Sequence, residues 1–185
     1  MRRWLQFIFL LCLASAGPRA HGAEIRTSEY ELKAAFLFNF TQFVDWPTNA
    51  FETDSSPIII GVLGPDPFGD TLDRLAAGEE VRGRKLKIER YARLADSKAA
   101  HLLFISRVLN TQWPDIEREL AGRPILTVSD MDRFAARGGM IHLVTERNLV
   151  RMRVNTDAAK RCQIVISSKL LRLADNAARG AGGFE

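Results

Sequence analysis

Apolar residues recur at helical spacing through Leu32, Phe36, Phe40 and Phe43, with Ala35 on the same face. Ahead of them, Ser28-Glu29-Tyr30-Glu31 has the form of a capping box, in which Ser28 bonds the Glu31 amide and Glu31 reaches back. Phe38 and Leu37 widen the stripe, and Asp45-Trp46-Pro47 ends it, since proline turns its predecessor away from helical angles. The pattern then changes. Ile58 to Leu63 is a continuous β-branched run, as expected of a strand buried on both faces of a parallel sheet. Asp70 to Ala77 predicts a short helix with Leu72 and Leu75 inward. Leu86 to Tyr91 alternates apolar and polar, which suits a strand nearer the sheet edge.

Leu102-Leu103-Phe104-Ile105 and Ile125-Leu126-Thr127-Val128 are two further apolar strands, with a helix predicted between them over Trp113 to Leu120. Pro114 is tolerated in that helix's first turn. A short helical stretch is expected around Met131 to Ala136. Met140 to Val144 and Leu149 to Val154 follow, joined by Thr145-Glu146-Arg147-Asn148 as an antiparallel hairpin. In its second strand Val150, Met152 and Val154 alternate with Arg151 and Arg153, so one face is wet. Asp157 to Arg161 and Ser167 to Ala174 read as closing helices, and residues 177–185 as a flexible tail. Strands alternating with helices define a single α/β domain over 24–176. Its sheet is expected to be mostly parallel and flanked by helices, with the antiparallel hairpin at one edge.

The first 23 residues follow another logic. Arg2 and Arg3, an apolar run from Trp4 to Leu13, then small residues at Ala14-Ser15-Ala16 and Gly22-Ala23 make the pattern of a secretory signal peptide over 1–23. The apolar run is about half of the roughly twenty residues that a membrane span needs. Cleavage is expected after Ala16 or Ala23. Cys12 follows Leu10 and Leu11 rather than a small residue, which argues against lipidation. The mature protein is therefore expected in the periplasm, without stable membrane insertion.

Export changes the charge argument. The whole chain has 26 basic and 22 acidic residues, but the leader takes Arg2, Arg3 and Arg19 with it, leaving 23 against 22. A nearly neutral body with scattered charges is no nucleic-acid surface. Arg82-Gly83-Arg84-Lys85 is the one local basic cluster and reads as a solvated turn and strand edge. Cys162 is left alone, so no internal disulfide can form, and it reads as a half-buried helical residue.

Little of the mature chain suggests catalysis. Gly61-x-x-Gly64-x-x-x-x-Gly69 lacks the spacing of a dinucleotide loop and the Lys-Ser/Thr of a Walker loop, and Pro65 and Pro67 remove amide donors. His101 and His142 lack metal-spaced neighbours and read as packed strand residues. No nucleophile elbow is present. Neither cofactor nor metal is expected. Open α/β sheets bind ligands beyond the carboxyl ends of their strands, which places Gly64, Asp66, Ser106, Arg107, Ser129 and Asp130 around a candidate crevice. The same residues serve as loop caps, and the residues alone favour that plainer reading. Asn39 and Trp46, at the aromatic end of the first helix, are candidates for a partner surface. For Trp46, packing beneath the helix end is the slightly preferred alternative.

Several stretches resemble one family. Lys33 to Pro47 (KAAFLFNFTQFVDWP) looks like the opening signature of the YfiR/HmsC-like periplasmic proteins. The likeness continues through Ile60 to Gly69, Val81-Arg-Gly-Arg84, His101 to Ser106, Ile125 to Asp130, Gly138 to His142 and Ile166 to Ala174. The resemblance implies a non-enzymatic regulator that restrains an inner-membrane diguanylate cyclase by binding its periplasmic sensory domain, so lowering cyclic di-GMP and biofilm formation. It also leans toward a homodimer, which would be non-covalent here. Some family members carry disulfide-forming cysteines in the mature domain; this chain, with only Cys162, departs from them. A small-ligand receptor using the strand-end crevice is the alternative function, and a periplasmic enzyme a remote third.

Overall fold

The computed structural model describes residues 21–147 and 149–179, with side chains from 29 to 174 apart from 148. In chain order the elements are α1 (His21–Phe43), β1 (Val44–Asp45), β2 (Ile58–Leu63), α2 (Thr71–Ala76), β3 (Glu80–Val81), β4 (Arg84–Tyr91), β5 (Leu102–Ile105), α3 (Trp113–Leu120), β6 (Leu126–Ser129), β7 (Ile141–Glu146), β8 (Leu149–Val154), α4 (Thr156–Arg161), β9 (Val165–Ile166) and α5 (Ser168–Arg179). Seven strands form one sheet in the order β3-β4-β2-β5-β6-β7-β8, and β1 pairs separately with β9. The five strands from β4 to β7 are mutually parallel, while β3 and β8 close the two edges antiparallel. This is the single α/β domain that the hydrophobic pattern predicts, hairpin edge included.

Period-two alternation splits the core into two layers. Ile60, Val62, Leu102, Phe104, Leu126 and Val128 face one side, where Leu37 and Phe40 of α1, Leu72 of α2, Ala158 and Ala159 of α4 and Leu170 of α5 cover them. Leu63, Leu103 and Ile105 face the other, against Trp113, Ile116 and Leu120 of α3. Gly61 lies on this second side by necessity. A Cβ there would stand 2.6 Å from the Tyr91 ring and 2.9 Å from Leu103.

Several boundaries differ from expectation. The first helix is already formed at His21, the first described residue, so Ser28 lies inside it and does not cap its start. Ala23 to Arg26 provide helix formers that carry the helix past that point. Its buried face is Tyr30, Lys33, Ala34, Leu37, Phe40 and Thr41, whereas Leu32 is 45% exposed and Phe36 and Phe43 only flank the core. The period was right but the phase was not, because Lys33 and Tyr30 turn inward to a charged partner described below. In the hairpin Glu146 pairs directly with Leu149, so β7 runs past Val144 and the connection is shorter than four residues. The stretch after Met131 makes only a 3₁₀ turn at Ala135–Arg137, tightened by the left-handed Gly138. At the far end α5 continues to Arg179, so helix replaces the first part of the expected tail. Residues 180–185 and the core of the signal-peptide reading, residues 1–20, lie outside the described residues.

The Arg82-Gly83-Arg84 turn is more than solvated surface. Arg82 pairs with Asp45 and donates to the Val44 and Gln42 carbonyls at the end of α1. Arg84 donates to the Thr53 and Ser56 carbonyls at 2.9 and 2.8 Å and covers the Phe51 ring. Both arginines tie the loop after α1 to the sheet.

Candidate functional site

The strand order β4-β2-β5-β6-β7 is the 2-1-3-4-5 order of flavodoxin-like doubly wound sheets, whose ligand crevice lies where the winding reverses, between β2 and β5 here. Gly64 and Ser106 follow those two strands. They are so close that a Cβ on Gly64, at φ +84°, would be 3.3 Å from Ser106 Cβ and 3.0 Å from Leu109. Leu109 occupies that position. The polar cleft lies to one side, beyond the ends of β5 and β6, against β7 and α1.

Helix α1 supplies Glu29, Tyr30 and Lys33, and Glu29 and Lys33 are one turn apart as an ion pair. Asp130 follows directly on β6, and its side chain is 3% exposed, against 1% for that of Lys33. Its Oδ2 accepts from the Tyr30 hydroxyl and from Lys33 Nζ, each at 2.8 Å. The Lys33 ammonium also lies 4.6 Å from the Tyr30 ring centroid. Thr145 on β7 donates to Glu29 Oε1 at 2.7 Å, joining strand to helix. An ammonium this deeply buried is tolerable only because two carboxylates flank it. Asp130 Oδ1 is buried and has no hydrogen-bond partner among the described residues.

The titration behaviour follows from this packing. Burial, then the bond to Asp130 and its charge, push the Tyr30 hydroxyl up to about 12. Arg107 is raised by its bond to Tyr30 and by Asp130. For Glu29, burial acts upward, but the bonds from Lys33 and Thr145 outweigh it and hold the carboxyl below its ordinary value. His142 on β7 is depressed by burial first and then by the Arg153 cation. Glu29, Lys33, Arg107, Asp130, Asp132 and His142 line a cleft of about 450 Å³, with Leu143, Val144 and Thr145 completing the wall.

Of the strand-end residues expected at a crevice, Arg107 and Asp130 meet in this cleft. Ser129 is fully buried beneath it, donating to the Ile105 carbonyl at 2.7 Å and accepting from the Met131 amide at 3.1 Å. Ser106 is buried beside Gly64. Asp66 belongs to another network, accepting from the Phe68 amide and from Arg90, which also holds Asp73 and the Gly69 carbonyl. Sequence reasoning missed Glu29, Tyr30, Lys33, Asp132 and Thr145. The available signal was Lys33 on the apolar arc of α1, a charge that burial obliges to find a partner.

Asn39 is exposed on α1. Trp46 is half-buried, with its indole N–H donating to the His101 carbonyl at 2.9 Å and its ring edge-on to the imidazole. His101 Nδ1 accepts from the Ile59 amide at 3.1 Å, so its proton sits on Nε2, 3.1 Å from the Ala50 carbonyl. Burial, joined by the nearby Arg84 cation and opposed by the Ala50 carbonyl, holds the His101 pKa below its ordinary 6.5. His101 and His142 thus take up protons at lower pH in the fold than in the unfolded chain. Their contribution is complete above the unfolded value and declines as pH falls from there toward the folded values. The urea midpoint is expected to be lower at about pH 5.5 than at about pH 7.5. An equal or higher midpoint at the acid value would contradict this account.

Residues 30–175 match the model of the YfiR/HmsC-like family, and the chain belongs to that family. Its members are known as periplasmic regulators of diguanylate cyclases, regulatory rather than catalytic. No curated protein matches the chain. Among the described residues no helix is long and apolar enough to cross a membrane, and no group of three or more His, Cys, Asp or Glu side chains is placed to hold a metal ion.

Proposed function

We propose that the exported domain restrains an inner-membrane diguanylate cyclase by binding the cyclase's periplasmic sensory domain, so lowering cyclic di-GMP and biofilm formation. The observation that carries this reading is the family match across residues 30–175, nearly the whole α/β domain. Contact acts by population shift: a protein that binds the inactive conformation of the sensory domain more tightly than the active one favours the inactive state. The outer side of the end of α1 is the proposed contact, with Asn39 exposed and Trp46 half-buried. A homodimer through another face would be non-covalent, because Cys162 is buried at 7% exposure. Deleting the gene is expected to raise cellular cyclic di-GMP and surface attachment, and complementation to reverse both. Unchanged cyclic di-GMP in the deletion strain would sink the proposal.

A second reading, a small-ligand receptor, is favoured by the cleft around Asp130, where a buried carboxylate oxygen lacks a partner. A receptor of this kind could also be the restraining protein, with its ligand setting the strength of restraint.

A further inference from the structure

The electrostatics of the cleft discriminate between ligand classes. Of its cations, Lys33 is buried and shared between Glu29 and Asp130, while Arg107 stands exposed at the rim beside Tyr30. Its acids are not all fully served. Both donors that reach Asp130 converge on Oδ2, leaving Oδ1 buried and without one among the described residues. Asp132 adds another carboxylate, and burial keeps His142 neutral. Three carboxylates therefore stand against two cations on the lining. Arg153, whose charge reaches His142, is turned to Glu146 at 2.9 Å. A buried acceptor without a donor is unfavourable, and an excess of negative charge repels anions.

We infer that the cleft binds a small organic cation bearing a primary ammonium group, which donates an N–H to Asp130 Oδ1. This names the ligand class of the receptor reading above and rests on it. An ammonium supplies three donors and one positive charge, which answers both the empty acceptor and the surplus acid. A multivalent metal ion is less suited, since no three ligating side chains converge among the described residues. The volume of about 450 Å³ admits an amine of modest size.

The test is an NMR titration of the whole mature protein with two probes of equal length, butylammonium and butyrate. Butylammonium is expected to shift the His142 ring and the Asp132 and Thr145 amides saturably, while butyrate does not. Asp130→Asn places an amide where the free oxygen was, and is expected to weaken butylammonium binding about tenfold or more. Because Asp130 also anchors Lys33, Asp132→Asn serves as the second variant, removing one lining charge at an exposed position and weakening binding by a smaller factor. If butyrate shifts these signals and butylammonium does not, the receptor reading stands and the cation inference falls. If neither probe shifts them, both fall. Butylammonium shifts of unchanged affinity in both variants would also overturn the inference.

Discussion

Lys33→Met is expected to lower the stability of the domain by about 3–5 kcal/mol, the range found when one partner of a buried ion pair is removed. Methionine keeps the length of the side chain and its apolar packing, so the loss isolates the charge. Without the ammonium, the buried Asp130 carboxylate would keep only the Tyr30 hydroxyl on Oδ2, and Glu29 only Thr145. The Glu29 carboxyl, which burial pushes upward, would lose the Lys33 bond and charge that hold it down, and is expected to rise. A carboxyl raised in this way destabilises fully at neutral pH and ceases to do so once the pH falls below the unfolded value, about 4 for a glutamate. The deficit of the variant should therefore shrink on acidification, even as the wild type itself weakens. Asp130→Asn in the Lys33→Met background should recover part of it, because the stranded charge is gone. Urea unfolding across this pH range measures all three quantities. A deficit below about 1 kcal/mol, or one that does not change with pH, would show that Lys33 is not held by its carboxylates.

That ion pair also marks where sequence reading stopped. The central strands were legible because burial on both faces leaves continuous apolar runs, as in Ile58 to Leu63 and Leu102 to Ile105. The hairpin edge was legible from the alternation of Val150, Met152 and Val154 with Arg151 and Arg153. Asp130 was legible too, since ligands of such sheets gather at strand ends and Asp130 directly follows β6. Its partners were not. Lys33 and Asp130 are 97 residues apart, and local periodicity contains nothing about which helix crosses which strand end. The same blindness placed the buried arc of α1 too far round, because a lysine counts as polar in any hydrophobic pattern. Arg82 and Arg84 show the converse case, in which a cluster that looks solvated ties a distant loop to the sheet.

Trp113→Ala should cost about 3–5 kcal/mol, as expected when a large buried aromatic side chain is removed without replacement. Trp113 is 2% exposed at the start of α3, and its ring centroid lies 4.4 Å from that of the fully buried Phe134. Phe134 in turn leaves no room at Gly139, where a Cβ would stand 2.3 Å from the ring. The indole N–H donates to the Arg137 carbonyl at 2.8 Å, in the turn that delivers the chain into β7. Trp113 thus supports the entry of the strand that carries His142 and Thr145 to the cleft. Trp113→Phe retains a ring but leaves the Arg137 carbonyl unserved, and a smaller loss of about 1–3 kcal/mol is expected from that acceptor. Two measurements decide the matter: urea midpoints for stability, and the His142 ring resonances for the position of β7. A loss in the alanine variant no larger than in the phenylalanine one would refute the packing argument. His142 signals unmoved in a folded alanine variant would separate Trp113 from the cleft and leave it a purely local support of α3.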